Sequence, residues 1–400
     1  MAPLQEVSPL ESQLQRVPTM VKGGGLRSMC RMRWVAFALS VGLVACSTAP
    51  TAVSESERLR FQTTPAEYAA LGLSHTIVPR EDGRRTTPSP ENFEWWYFDG
   101  LLDDGTVVVV WFGDNWLYGS HKRVVNIELT LPGQKTRRIK RTFDEPGAFS
   151  TTSADIAIGP HTFKGDLDTY SIHVDANETG GLGCDLVLQR RVPSYRLATG
   201  YMSAGKQYFA WLAAVPEGKI SGTITTDKVT REVTGSGYHD HNWGNVSPAA
   251  LFDGWWWGRG QTGEHTVIAS VLHVKPALGG HHLRFLFIGD HKRTEVSALG
   301  NDVTAVEGPA VPHPDQKHVR MIASSVSFET SNGSLVRFNI SDRLLTSADL
   351  LASQGYLKRL AAGAMGLKPW YTRFESSVST SLRGQPASAG SGTLEYFELR

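Results

Sequence analysis

The chain has 400 residues, which is enough for two domains of ordinary size or for one large β domain. Hydrophobic residues make up 40% and charged residues 20% of the sequence, a balance that indicates a folded, soluble chain and excludes a disordered one. The formal net charge is +1 and no basic stripe is interleaved with aromatic residues, so the composition argues against a nucleic-acid partner.

The first 46 residues are predicted to be an N-terminal extension that contains an export leader. Three arginines between positions 27 and 33 precede the uncharged run WVAFALSVGLVA at 34–45, which is typical of a signal peptide and too short to span a bilayer. The sequence LVAC at 43–46 resembles a bacterial lipobox, in which Cys46 would carry a lipid and associate with a membrane. We therefore expect a secreted or membrane-anchored protein. The alternative interpretation of 34–45 is a buried core helix.

A Ser/Thr-rich tether is predicted at 47–64, and the pattern beyond it favours β-strands. Asp104-Gly105 and Asn332-Gly333 each stand between apolar runs and predict two β-hairpins. Further strands are predicted for VVNIELTL, LDTYSIHVDA, GCDLVLQR, TVIASVLHV and HLRFLFIG. The exception is a helix predicted over 347–365, with Ser347 as its N-cap.

Two Trp-rich stretches predict two similar β units. FEWWYFDGLLDDGTVVVVWF begins at Phe93 and FDGWWWGRGQTGEHTVIASVL begins at Phe252, each with a Trp-rich strand, a glycine turn and a β-branched partner strand. This repetition predicts domains at 65–246 and 247–400. Short antiparallel strands with frequent turns indicate barrels or sandwiches, and an eight-stranded barrel is wide enough to hold one small ligand. The 11 Trp, 11 Tyr and 16 Phe residues suit such an apolar cavity.

The segment GYHDHNWG at 237–244 concentrates side chains that handle protons or stack. In a strand these side chains alternate, which places Tyr238, Asp240 and Asn242 on one face and His239, His241 and Trp243 on the other. A carboxyl in an apolar pocket has a raised pKa, so Asp240 is a candidate general acid, and either histidine as an imidazolium is an equal one.

Two of these motifs also resemble a known family. EWWYFDG at 94–100 followed by GYHDHNWGN at 237–245 resembles the lipocalin-like AttH/hydroxyneurosporene-synthase family, which includes carotenoid 1,2-hydratase, kievitone hydratase and decalin-forming fungal Diels–Alderases. KPWYTRFESSV at 368–378 and GSGTLEYFEL at 390–399 resemble its C-terminal half. The resemblance implies an all-β fold of two lipocalin-like barrels, a pocket in or between them, and no cofactor. It also implies that the segment at 237–245 supplies the proton donor.

Together with the resemblance, which implies that no cofactor is used, these patterns predict an enzyme that acts on a small apolar substrate, an isoprenoid or polyene. The leading hypothesis is acid-catalysed hydration of a carbon–carbon double bond, which needs an acid, a placed water and a wall that stabilises a carbocation. The predicted catalytic residues are Tyr238, His239, Asp240, His241 and Asn242. The predicted substrate-binding residues are Trp95, Trp96, Tyr97, Trp243, Trp255, Trp256 and Trp257.

Several alternatives stay open at this point. An intramolecular Diels–Alder cyclase needs only a shaped apolar cavity and one donor, and a non-catalytic carrier needs only the cavity. A lipid-anchored envelope protein needs neither.

The same residues also allow other roles. His239 and His241 could join a metal site with His265, His273, His281 or His282, or could belong to a closed hydrogen-bond network that braces the fold. Glu94 and Asp99 are candidate partners for a histidine or for Arg259. Arg373 is predicted to brace a barrel end or to hold a substrate carboxylate.

Overall fold

The computed structural model describes residues 53–117, 120–315, 320–349, 351 and 369–399. The predicted export leader and Cys46 therefore lie outside the described residues. Most of the helix predicted at 347–365 lies outside them as well.

The N-terminal sheet is antiparallel and, within the described residues, contains thirteen strands. They are β1 Arg60–Phe61, β2 Phe93–Leu102, β3 Val107–Leu117, β4 Ser120–Thr130, β5 Arg137–Phe143, β6 Ala148–Phe149, β7 Ala154–Ile158, β8 His161–Gly165, β9 Thr169–Val174, β10 Leu182–Arg190, β11 Tyr201–Ala204, β12 Gln207–Thr226 and β13 Val229–Gly244. The strand order is β5-β4-β3-β2-β13-β12-β10-β9-β8-β7-β6, with β11 beside β12 and β1 beside β11. We call this barrel-like sheet barrel 1.

The C-terminal sheet, also antiparallel, contains nine strands in the part of the chain that is described. The strands from here to the C-terminus are β14 Phe252–Thr262, β15 His265–Val274, β16 His282–Gly289, β17 Thr294–Leu299, β18 Val303–Glu307, β19 Ala310–Pro312, β20 Met321–Ala323, β21 Ser325–Thr330, β22 Leu335–Asp349, β23 Trp370–Ser381 and β24 Ser388–Glu398. The order is β17-β16-β15-β14-β24-β23-β22-β21-β18, and β19 pairs separately with β20. We call this nine-stranded sheet barrel 2.

Helical structure is sparse among the described residues. Helix α1, Pro65–Ala70, begins at a capping box in which Thr64 and Glu67 bond to each other's backbone, and helix α2, Pro248–Leu251, connects the barrels. Short 3-10 helices lie at Pro79–Asp82, Pro276–Leu278 and Gly300–Asp302. Within the described residues no helix has the length and apolar character needed to cross a membrane.

The all-β, two-barrel fold predicted from the sequence is confirmed. Both predicted hairpins form, and Gly105 and Gly333 take the left-handed φ values of 81° and 86° that their turns require. The predicted helix start at Ser347 is wrong, because β22 continues through this residue and pairs Ser347 with Thr372 of β23.

The three largest apolar clusters form the cores of the described part of the chain. One fills barrel 1 and another fills barrel 2. The third lies between the barrels, since it joins side chains of both sheets, among them Trp211 and Tyr238 from barrel 1 and Phe252 and Phe285 from barrel 2. The two barrels therefore bury a shared interface, and both faces of the strands at this interface are covered.

A segment before β2 enters barrel 1 and closes part of its interior. This segment, residues 79–86, buries Glu81 and Asp82, and Glu81 Oε2 accepts a hydrogen bond from Arg196 Nε at 2.9 Å. The Asp82 backbone carbonyl accepts a hydrogen bond from Trp96 Nε1 at 2.8 Å. We call residues 79–86 the plug, since it brings carboxylates into the barrel.

Candidate active site between the barrels

The two sequence motifs at 94–100 and 237–245 lie side by side in space. Strand β13 pairs with β2 in antiparallel register, with Tyr238 opposite Asp99, Asp240 opposite Tyr97 and Asn242 opposite Trp95. Directly opposed residues of neighbouring strands project to the same face of a sheet. The polar face of one motif therefore adjoins the aromatic and acidic face of the other.

The alternation predicted for this strand is present, and it separates two environments. Tyr238, Asp240 and Asn242 project away from the interior of barrel 1 toward barrel 2, where they line a cavity. His239, His241 and Trp243 project into barrel 1 and are 0%, 0% and 4% exposed. Only the first set can contact a molecule in the cavity between the barrels.

The cavity has a volume of about 220 Å³ and takes its walls from both barrels. Most of its wall is apolar, and aromatic rings dominate that part. Barrel 1 contributes the aromatic residues Trp95, Tyr97, Trp111, Phe209, Trp211 and Tyr238, and barrel 2 contributes Phe252, Trp255, Trp257, Phe285 and Tyr371. Ligand sites in proteins have this composition, with a few polar groups placed in an apolar wall.

Asp240 is a buried carboxyl in this wall, with 8% of its surface exposed. Its Oδ2 accepts hydrogen bonds from Tyr238 Oη at 2.7 Å and Trp211 Nε1 at 3.0 Å, and its Oδ1 accepts one from Asn242 Nδ2 at 2.8 Å. Burial raises the pKa of Asp240 above its ordinary value, although the bonds from Tyr238 and Trp211 oppose this. The geometry suits an acid, because three donors already face the carboxylate that remains after the proton leaves.

A second polar group in the cavity wall joins the barrels. Asp99 accepts hydrogen bonds from Arg259 Nη2 at 2.5 and 2.7 Å and from Arg373 Nη2 at 2.6 Å. Tyr97 Oη donates to the same carboxylate at 3.0 Å. Burial raises the pKa of Asp99, but the charges of the two arginines outweigh it and lower the pKa to about 2. Asp99 is therefore an anion that ties barrel 1 to barrel 2.

The two histidines belong to a buried network inside barrel 1. His239 Nε2 lies 3.0 Å from Asp82 Oδ2, and His241 Nε2 lies 2.8 Å from Glu94 Oε1. Tyr170 Oη donates to Asp82 Oδ2 at 2.5 Å. Glu94 also accepts hydrogen bonds from the backbone of the plug, from Arg85 N at 2.6 Å and Thr86 N at 2.9 Å. The network therefore fixes the plug inside the barrel.

This arrangement reassigns part of the predicted site. His239 and His241 are turned away from the cavity, so we assign them to the bracing network instead of the catalytic group. Trp96 stacks on His241 at a centroid distance of 4.5 Å, Trp243 lies in the core of barrel 1, and Trp256 lies in the core of barrel 2. Each alternates with a neighbour that does line the cavity. The predicted residues brought to the cavity are Trp95, Tyr97, Tyr238, Asp240, Asn242, Trp255 and Trp257.

The alternative of a three-histidine metal site does not match the topology. His239 and His241 are in barrel 1, whereas His265, His273 and His282 are in strands of barrel 2. Within the described ranges, no three His, Cys, Asp or Glu side chains converge as metal ligands would.

The network predicts a pH-dependent stability with a defined sign. His239 Nδ1 faces the Tyr97 carbonyl at 2.8 Å and Nε2 faces Asp82, so both ring nitrogens meet acceptors. Burial lowers the pKa of His239, but the charge and hydrogen bond of Asp82 outweigh it and raise the pKa above 6.5. Protonation of His239 therefore stabilises the fold fully below pH about 6.5, and this contribution is lost as pH rises through the raised pKa.

Urea denaturation of the native chain and of His239→Gln measures this effect. We expect the difference in their free energies of unfolding to shrink as pH rises from about 6 to about 9. A difference that grows with pH, or stays constant, would contradict a raised pKa at His239.

Sequence reasoning found some partners and missed others. The predicted pairings of Glu94 with a histidine and of Asp99 with Arg259 are confirmed. Trp211 was missed, although it bonds Asp240 and packs edge-on against Trp257 at 5.0 Å. In the sequence, Trp211 lies in the apolar run FAWLAAV. Any buried strand can have such a run, so the run does not indicate a ligand site. Only the pairing of β12 with β13, which sets Trp211 opposite Asn242, brings it to the site.

Two barrel-like sheets that enclose an aromatic cavity at their interface define a lipocalin-like two-barrel protein. Solved structures with this fold include the AttH-type protein NE1406 from Nitrosomonas europaea, with a TM-score of 0.57, 16% identity, and coverage of 85% of this chain and 100% of the other. CghA with bound Sch210972 has a TM-score of 0.56 at 15% identity, covering 80% and 94%. Kievitone hydratase from Nectria haematococca has a TM-score of 0.50 at 12% identity, covering 76% and 88%.

Comparison of sequences gives a distant relative. The hydroxyneurosporene dehydrogenase of Chlorobaculum tepidum is 25% identical over 248 residues, which cover 51% of this chain and 62% of that protein. The chain thus spans less than two thirds of the length of this relative. No protein-family model matches the sequence. The resemblance inferred from the motifs is confirmed by these relatives, and the structural likeness establishes the shared fold.

Proposed function

We propose that the chain is a cofactor-independent enzyme that hydrates a carbon–carbon double bond of an isoprenoid or polyene bound between the barrels. The observation that carries this proposal is Asp240, a carboxyl with a raised pKa in an apolar wall, held by three hydrogen-bond donors. The name of one similar protein, kievitone hydratase, supports a hydration, and the name of another, hydroxyneurosporene dehydrogenase, supports an enzyme in general.

Asp240 and one water molecule account for every proton and bond in the proposed reaction. Asp240 transfers its proton to the less substituted alkene carbon, which leaves a tertiary carbocation and a carboxylate. Tyr238, Trp211 and Asn242 stabilise that carboxylate through the bonds they already make. A water molecule then attacks the cation, and its surplus proton returns to the carboxylate, which restores the acid.

The aromatic wall stabilises the cation. Trp211 donates its indole N–H to Asp240 and contacts Trp257 edge-on, and both rings line the cavity in which positive charge would develop. Attraction between a cation and an indole face contributes about 2 kcal/mol when the site is desolvated.

A second candidate, an intramolecular Diels–Alder reaction, is favoured by one observation. Arg259 and Arg373 bring charged N–H donors into the same cavity, where they would withdraw electron density from a carbonyl on the dienophile. The aromatic walls would hold a folded polyene in a reactive shape.

Solvent labelling separates these reactions. The purified chain is incubated in deuterated water with neurosporene or farnesol, and the products are analysed by mass spectrometry and NMR. Hydration predicts a tertiary alcohol with one deuterium bound to carbon. A product isomeric with a polyene substrate and free of label would contradict hydration and favour the cyclase, and bound but unchanged probe would favour a carrier.

A further inference from the structure

The wall next to Asp240 contains donors that the protein itself leaves unused. Arg259 reaches both oxygens of Asp99 through Nη2 alone. Within the described residues its Nη1 and Nε make no hydrogen bond, and the side chain lines the cavity. Two N–H-bearing atoms of a guanidinium are therefore open to a bound molecule.

Two arginines converge on one ionised carboxylate in this part of the wall. Arg259 and Arg373 share the single carboxylate of Asp99, and Arg373 Nη1 turns to Tyr97 Oη at 3.1 Å. Arg373 Nε is buried without a hydrogen bond in the described part of the chain, at 3.5 Å from Glu395 Oε1. Burial raises the pKa of Glu395, which favours its neutral form. Buried cations are costly unless a matching anion is present.

We propose that Arg259 and Arg373 form a subsite for an anionic oxygen group, a carboxylate or an enolate, at one end of an otherwise apolar substrate. The planar fork of a guanidinium binds two such oxygens at once, which a lysine does not do. This inference rests on one part of the proposed function, namely that the substrate binds in the cavity between the barrels.

The position of this subsite places the substrate relative to the proton donor. Arg259 Cζ lies 4.0 Å from the centroid of the Tyr238 ring, and the hydroxyl of that ring bonds Asp240. The anionic end of the substrate therefore lies one tyrosine ring away from the reacting carbon. Its negative charge also offsets that of Arg259, which would otherwise oppose formation of a carbocation nearby.

A matched pair of probes tests the subsite. Farnesoic acid and methyl farnesoate share one chain and one carbonyl and differ in charge, and quenching of the cavity tryptophans reports their binding. We expect the native chain to bind the acid about tenfold more tightly or better at neutral pH. Arg259→Gln should lose this preference and keep its affinity for the ester within about twofold.

Arg293→Gln provides the control. Arg293 does not line the cavity, is largely exposed and pairs with Glu295 at 2.7 Å, so this variant should keep the preference. Equal affinities of the native chain for acid and ester would overturn the subsite, and this comparison holds even if Arg259→Gln fails to fold. Preference for the acid without any labelled alcohol would instead contradict the hydratase proposal and leave the subsite standing.

Discussion

Replacing Asp240 by asparagine is expected to lower kcat for alkene hydration about 10²- to 10⁴-fold while the protein stays folded. The substitution removes the transferable proton and keeps the shape of the side chain. Because burial raises the pKa of Asp240, the folded protein gains little from its charge, and a neutral amide should cost little stability. Steady-state kinetics and urea denaturation of the same preparation measure both quantities.

Asp185→Asn is the matched control for this experiment. Asp185 lies exposed on β10 and does not line the cavity, so kcat should not change. An Asp240→Asn variant that retains native turnover would contradict Asp240 as the acid, whatever its stability.

Replacing His241 by alanine is expected to have the opposite pattern, a large loss of stability with little loss of turnover. His241 is 0% exposed, bonds Glu94 and stacks on Trp96. Its removal leaves a cavity and a buried carboxylate with one partner fewer, which together cost about 3–5 kcal/mol. The free energy of unfolding from urea denaturation measures this loss.

The turnover of the folded His241→Ala protein shows whether His241 is a catalytic acid or a member of the bracing network. We expect kcat within about threefold of native, because the imidazole faces the interior of barrel 1. A stable variant with a strongly reduced kcat would instead return His241 to the catalytic group.

Alternation predicted the two faces of 237–244, but it could not identify the face that meets the ligand. In β2 the burial is nearly continuous, with Trp95 at 8% and Trp96 at 0% exposure. One face packs inside barrel 1 and the other against barrel 2, so both faces are apolar. Hydrophobicity therefore cannot distinguish them, and Trp96 is predicted as a cavity residue beside Trp95 and Tyr97 for this reason.

The pairing of distant strands accounts for the other differences. The residues at 347–349 have a plausible helix start, yet β23 offers them backbone partners and strand pairing prevails over local propensity. The plug is a short polar segment with no periodic signal, and its role appears only when Asp82 and the backbone at 85–86 meet His239 and Glu94. Such long-range contacts are fixed by topology, which the sequence pattern does not specify.

The proposed reaction requires that an apolar molecule bind in the cavity between the barrels with Asp240 facing it. A crystal structure of the Asp240→Asn variant soaked with farnesol shows where such a molecule binds. We predict electron density for the chain of the ligand in the cavity between the barrels, in contact with Trp211 and Trp257, with a double bond in contact with the side chain at position 240. Density inside barrel 1 beside His239, or on the outer surface of either barrel, would contradict it.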